Sequence, residues 1–185
     1  MSAIILPMIE PIDKPQQQLV TDHSLSYIKL AGELLGRRFD PVAIDFDLMG
    51  SSAGMFKLER RHCRIRYNPW LFAKYFEENL QGTVPHEVAH YIVHCLYGLH
   101  RVRPHGEEWR AIMQAFDADA SVTGDYDLSG IPQRRQRRFD YRCDCREHQL
   151  STRRHNLIER GKGRYQCRLC SAELAYAGDQ RELQA

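Results

Sequence analysis

The chain has no apolar run long enough to span a bilayer, which excludes a transmembrane helix. Residues 1–9 are somewhat apolar but lack a basic n-region and a sufficient apolar segment, so no signal peptide is expected. A cytoplasmic location with reduced cysteines follows. Six cysteines in 185 residues, four of them clustered near the end, do not suit a disulfide scaffold. No internal repeat appears beyond paired cysteine knuckles. Charge of one sign is not scarce either: 26 Lys and Arg stand against 24 Asp and Glu, a net charge of +2. That length suits one medium domain and a small module.

What is present is His86-Glu87-Val88-Ala89-His90. Helix positions i and i+4 share a face, about 6 Å apart along the axis, so two imidazoles can meet one zinc ion. Glu87 lies beside the first ligand, where it can act as a base toward water. Pro85 suits a first helical turn and Thr83 a helix N-cap. Val88, Ala89, Ile92, Val93 and Leu96 form an apolar stripe, and Gly98 ends it. The spacing predicts a buried helix over His86–Tyr97. A core helix with hydrogen-bonded histidines is the plainer alternative, but it leaves a buried Glu and two His on one face without a partner.

A catalytic zinc site needs a third protein ligand and an open fourth position. His94 lies about 12 Å along the axis from His86, too far to share an ion with it. His100 falls in a loop without supporting pattern. His105 stands one turn before Trp109 on the face carrying Ile112, Met113 and Phe116, which aims it at the core. The periodicity therefore points to His105.

A second block carries metal-ligand spacing. Cys167-x-x-Cys170 can present two thiolates to one ion. Cys143, Cys145 and His148 compete to supply the other pair. Cys145-x-x-His148 repeats the two-residue gap, so Cys145, His148, Cys167 and Cys170 are the expected set, with Cys143 the rival of His148. Four protein ligands make this zinc structural. A metal clip supplies what so short a module cannot bury. Cys63 and Cys95 read as buried thiols.

Four segments are expected: a flexible tail over 1–18, where Pro7, Pro11, Pro15 and a Gln run fall, a catalytic domain over 19–130, a basic linker and zinc ribbon over 131–174, and a tail over 175–185. In the domain, an amphipathic helix over 24–38 uses Leu25, Ile28, Leu30, Ala31, Leu34 and Leu35 and stops at Asp40-Pro41. Strands over 42–48, 53–58 and 63–68 make an antiparallel three-stranded sheet. A helix from Asn68-Pro69-Trp70 to Glu78 precedes the metal helix. The fold class is α+β, a small sheet on helices followed by a β zinc ribbon. Residues 131–170 carry twelve Lys and Arg against four Asp and Glu, a balance of +8, while the rest of the chain carries −6. Such segregation favours nucleic acid as partner, through counterion release at phosphates. Phe139, Tyr141 and Tyr165 lie among these charges and could stack on unpaired bases, or form the ribbon's core.

Thr83 to His90, then His105-Gly106 and an aromatic at Trp109, resembles the SprT family of zinc metalloproteins. The resemblance runs from about Ser24 to Leu174 and includes the block from Tyr141 to His148, then Arg153-Arg154-His155-Asn156 and Tyr165 to Cys170. It implies a zincin-like domain with His86, His90 and His105 on a catalytic zinc, Glu87 as base, and a second, structural zinc. Related SprT-like proteins carry Cys-x-x-Cys at the first knuckle, which favours Cys145 with His148. The eukaryotic relative Spartan is a DNA-dependent protease that degrades proteins crosslinked to DNA. The metzincin pattern, with a third His six residues after the second, is absent. A zinc metalloendopeptidase acting on nucleic-acid-associated proteins is thus the expected function, with a sheet edge aligning an extended peptide. The alternative is a nucleic-acid-binding or transcription-associated zinc protein with little hydrolysis.

Overall fold

The computed structural model describes residues 9–60, 62–98, 101–121, 125–133 and 137–178. The chain forms two compact units, Met1–Gln133 and Arg134–Ala185. Both mix helices with a small sheet, so the fold is α+β. Among the described residues no helix is long and apolar enough to cross a membrane.

The first unit begins earlier than its prolines suggest. Helix α1 runs Lys14–Leu35. The Asp13 carboxylate accepts from Gln16 N–H at 2.9 Å, and the Gln16 side chain accepts from Asp13 N–H at 3.1 Å. This capping box satisfies two free donors and nucleates a helix where a tail was expected. Ile12 is buried and donates its N–H to the Pro69 carbonyl. The inward stripe of α1 is Val20, Ser24, Ile28 and Ala31, while Leu25, Leu34 and Leu35 are exposed. The Ser24 hydroxyl bonds to the Val20 carbonyl and the Tyr67 phenol, which lets it sit in the core. Gly36, at φ 58°, ends the helix ahead of Asp40-Pro41.

Three strands follow: β1 (Ala43–Asp45), β2 (Gly54–Glu59) and β3 (His62–Tyr67), in the order β1-β3-β2. The β2–β3 pair is the expected antiparallel hairpin. β1 pairs parallel to β3, Ile44 opposite Ile65, so the sheet is mixed rather than wholly antiparallel. The cause is the connection from β1 to β2. It takes the chain to the far side of β3, and Asn68 holds it there by donating to the Gly50 and Ser52 carbonyls. The Asn68 side-chain carbonyl oxygen also caps the next helix, accepting from Trp70 and Leu71 N–H.

The single helix expected up to Glu78 is broken. It comprises α2 (Pro69–Lys74), α3 (Phe76–Glu78) and a π-turn over Asn79–Thr83, which runs directly into α4 (Val84–Tyr97). Thr83 has helical dihedrals and makes no capping bond. Its hydroxyl donates instead to the Asn79 side-chain oxygen at 2.7 Å. Gly98 closes α4 at φ 80°, and α5 (Glu107–Ala115) packs Trp109, Ile112 and Met113 into the same core.

The second unit is a sheet of β4 (Arg138–Arg142), β5 (Glu147–Ser151) and β6 (Ala175–Tyr176), antiparallel in the order β5-β4-β6, with helix α6 (Thr152–Glu159). Residues 175 and 176 therefore belong to the sheet and not to a tail. Arg153, Arg154 and His155 lie on α6 where the β zinc ribbon was expected. Phe139 and Tyr141 are buried with Leu150, Cys167 and Leu174, which makes them core residues and not base-stacking platforms.

Candidate metal centre and cleft

Helix α4 offers His86 and His90 on one face, and the turn before α5 offers His105. The Nε2 atoms of the three stand 3.2 Å (His86–His90), 3.0 Å (His90–His105) and 3.0 Å (His86–His105) apart. Ligands about 2.0–2.1 Å from one tetrahedral zinc stand roughly 3.3 Å apart, so the donor set fits a zinc ion. Its chemistry fits as well. Burial, with the neighbouring His105, drops His86 to about 4, and burial with His86 and His105 drops His90 to about 3, so neutral rings present lone pairs at neutral pH.

The surroundings fix these rings. Trp109 lies 4.7–5.7 Å from all three, centroid to centroid, and its indole N–H donates to the His86 carbonyl at 3.2 Å. His105 has φ 55°, a left-handed conformation unusual for a residue with a side chain. Gly106 follows it because the turn is tight: a Cβ there would lie 2.9 Å from the Arg103 carbonyl. His94 is not among the converging residues; its ring packs 5.7 Å from Phe56. His100 lies outside the described residues.

Glu87 projects from α4 toward β2 and is buried to 6 % exposure. Its Oε2 accepts from Phe56 N–H at 2.6 Å. Burial lifts the carboxyl to about 7, with the Phe56 N–H acting in the opposite sense. Glu87 reaches the strand because residue 54 is glycine. A Cβ at Gly54 would stand 2.6 Å from Glu87 Cγ and 2.7 Å from Thr83 Cγ2. Sequence reading missed Gly54, although an isolated glycine in a strand pattern is itself a sign of close approach. His86, Glu87, Gly54 and Thr83 line a cleft of about 430 Å³ with Tyr126 on its wall.

In the second unit the thiols of Cys143, Cys145, Cys167 and Cys170 converge within 4.8 Å of one another. Sulfurs at about 2.3 Å from a tetrahedral zinc stand roughly 3.8 Å apart, so four thiolates fit one closed site. The hairpin turn places Cys143 there: its N–H donates to the Arg146 carbonyl at 3.1 Å, folding residues 143–146 so that both cysteines face the second knuckle. Cys143 thus takes the place expected of His148. The His148 ring sits behind it, Nε2 at 3.2 Å from Cys143 Sγ, the position of a group that orients a ligand. Backbone N–H groups of Cys170 and Leu169 pull Cys167 down to about 5, which favours its thiolate.

A His-Glu-x-x-His helix closed by a third histidine, on an α+β unit followed by a four-cysteine module, defines a protein related to zinc metallopeptidases. The chain belongs to the SprT-like family, whose model matches residues 26–128. Among curated relatives it is 38% identical over 154 residues to Protein SprT of Vibrio parahaemolyticus, covering 83% of this chain and 89% of that one. It is 37% identical over 148 residues to Protein SprT of Pasteurella multocida, covering 80% and 86%. It is 39% identical over 153 residues to Protein SprT of Pseudomonas paraeruginosa, covering 80% and 88%. No solved structure matches the chain.

Proposed function

We propose that this chain is a zinc-dependent endopeptidase acting on proteins associated with nucleic acid. The observation that carries the reading is the convergence of three imidazole nitrogens next to a buried carboxylate, with His86 and Glu87 together lining one cleft. A purely structural site has no need of such a base. His86, His90 and His105 would hold zinc, which supplies Lewis acidity toward water and a peptide carbonyl. Glu87 accepts a proton from the attacking water and delivers it to the leaving amine. Phe56 N–H and the gap at Gly54 hold Glu87 in place for both transfers. β2 is one of the two edge strands of its sheet, and on its unpaired side the Phe56 N–H donates to this carboxylate. An extended peptide can add to that edge through backbone hydrogen bonds, with little sequence demand.

The basic second unit supplies the nucleic-acid part of the reading. Arg138, Arg153 and Arg154 surround a hollow of about 550 Å³, with the Arg154 guanidinium 5.6 Å from the Tyr165 ring. Arg134 and Arg135 lie outside the described residues. Replacing Arg153 and Arg154 together by Ala should weaken binding to all DNA sequences alike. For every phosphate that is no longer neutralised, the slope of log K against log salt should become less negative by about 0.9. Fluorescence anisotropy across a salt series measures this, and an unchanged slope would remove α6 from the interface.

The deciding experiment incubates zinc-loaded protein with a DNA-binding protein, with and without DNA, beside Glu87→Gln. Cleavage by the parent should exceed that by the variant by about 10²–10⁴-fold. Equal inertness of both, with DNA binding intact, would favour a nucleic-acid-binding zinc protein without hydrolytic function.

A further inference from the structure

The cleft beside Glu87 has a charge pattern that the hydrolytic step does not use. Its acids are Glu87 and Asp119, and no lysine or arginine lines it among the described residues. Much of the remaining lining is small or hydroxylated: Ser51, Ser52, Ala53, Gly82 and Ser121. Small residues leave room for a long side chain, and hydroxyls can accept from one. Asp119 is not a member of the histidine cluster. Among the described residues it has no cationic partner. Its carboxylate is nonetheless held: Ser121 donates its N–H to Oδ1 at 2.9 Å and its hydroxyl to Oδ2 at 2.5 Å. The same bonds keep the carboxyl below its ordinary value, hence ionised. An ionised, solvent-exposed carboxylate on the wall of a cleft, held by Ser121 and without a cationic partner among the described residues, attracts a cation that arrives with the substrate.

We propose that Asp119 is a specificity-determining residue that receives a lysine or arginine side chain of the substrate, so that the cleft selects basic segments of polypeptide. This rests on the peptidase reading and narrows it. It fits that reading's substrates, because proteins that hold nucleic acid do so with lysine- and arginine-rich segments.

The test uses full-length, zinc-loaded protein and internally quenched peptides that differ at single positions, carrying Lys, norleucine or Glu. Norleucine keeps the length of the lysine stem and removes its charge. At one position relative to the scissile bond, the parent should cleave the Lys peptide with about tenfold higher kcat/KM than the norleucine peptide. Asp119→Asn should bring that ratio to about one, Asp119→Lys should turn the preference toward Glu, and Asp119→Glu should restore it. Rising salt should shrink the ratio in the parent and not in Asp119→Asn, a response that a merely structural role would not give. A parallel measurement follows binding of the same labelled peptides to zinc-loaded Glu87→Gln by fluorescence polarisation. Cleavage without a Lys preference at any position, or a preference that Asp119→Lys leaves intact, overturns the subsite and spares the peptidase. Selective binding without cleavage by the parent upholds the subsite and removes the peptidase. Neither binding nor cleavage of any peptide overturns both.

Discussion

Replacing Gly54 by alanine should reduce peptide hydrolysis by about 10²-fold while leaving the histidine site's zinc in place. The reason is steric and local. The added methyl would stand 2.6 Å from Glu87 Cγ, 2.7 Å from Thr83 Cγ2 and 2.8 Å from Glu87 Oε1. Carbon atoms do not approach that closely, so either the carboxylate rotates or β2 withdraws. Either movement breaks the 2.6 Å bond from Phe56 N–H. Displacing a catalytic group by about 1 Å costs on the order of 10²-fold in rate. The backbone itself tolerates alanine, because Gly54 is not among the positive-φ glycines. The three imidazoles come from α4 and the turn before α5, neither of which includes residue 54. Overpacking of this kind costs about 1–3 kcal/mol of stability, so the variant should still fold. Metal analysis and steady-state kinetics on the same preparation check the result. Loss of zinc together with activity, or turnover equal to the parent, would contradict the arrangement of Glu87 described above.

The two converging histidines on α4 could be read from the chain because helical spacing is local. Four residues at about 1.5 Å rise fix which side chains share a face, whatever surrounds them. His105 was reached through its spacing from Trp109, but the structure puts it outside α5, in the preceding turn at φ 55°, so its convergence comes from that turn and not from helical periodicity. Gly54 was not legible, because what it accommodates comes from a different element. The clash that excludes a side chain there exists only once α4 lies beside β2. The mixed sheet was hidden similarly: alternation in residues 42–48 marks a strand but carries no information about which neighbour it joins or in which direction. The early start of α1 was present in Asp13 and Gln16, yet Pro7, Pro11 and Pro15 argued for a tail. A proline in the first helical turn costs nothing, since its missing N–H has no intrahelical acceptor there. Asn79 shows a further limit. Its amide donates to the Leu71 and Tyr75 carbonyls and accepts from the Thr83 and Tyr126 hydroxyls. That network joins the π-turn to the cleft wall and draws on residues from Leu71 to Tyr126, beyond the reach of any local pattern.

Loss of one thiol from the second unit should unfold that unit and leave the first intact. The parent should carry two zinc ions per chain. Cys143→Ser and Cys170→Ser should each carry one, as should His86→Ala, while His148→Ala should keep two with weakened affinity at the cysteine site. The contrast between Cys143→Ser and His148→Ala follows from the structure, where Cys143 belongs to the converging set and His148 stands behind it. The scale of the effect follows from how little else holds the unit. Among the described residues its buried core is Phe139, Tyr141, Leu150, Cys167 and Leu174, one of which belongs to the cysteine cluster. A core of that size does not offset the conformational entropy of the surrounding chain. Structural zinc contributes about 10–16 kcal/mol of apparent binding free energy in comparable small modules, and that energy drives folding. Amide hydrogen exchange on full-length Cys143→Ser should therefore show protection lost across β4, β5 and α6 and kept across α4 and α5. The same variant should lose tight DNA binding while Glu87 still cleaves an unbound peptide, because the imidazole site draws no residue from the second unit. If His148→Ala, and not Cys143→Ser, lost the ion, the ligand set would revert to the one that spacing alone suggests.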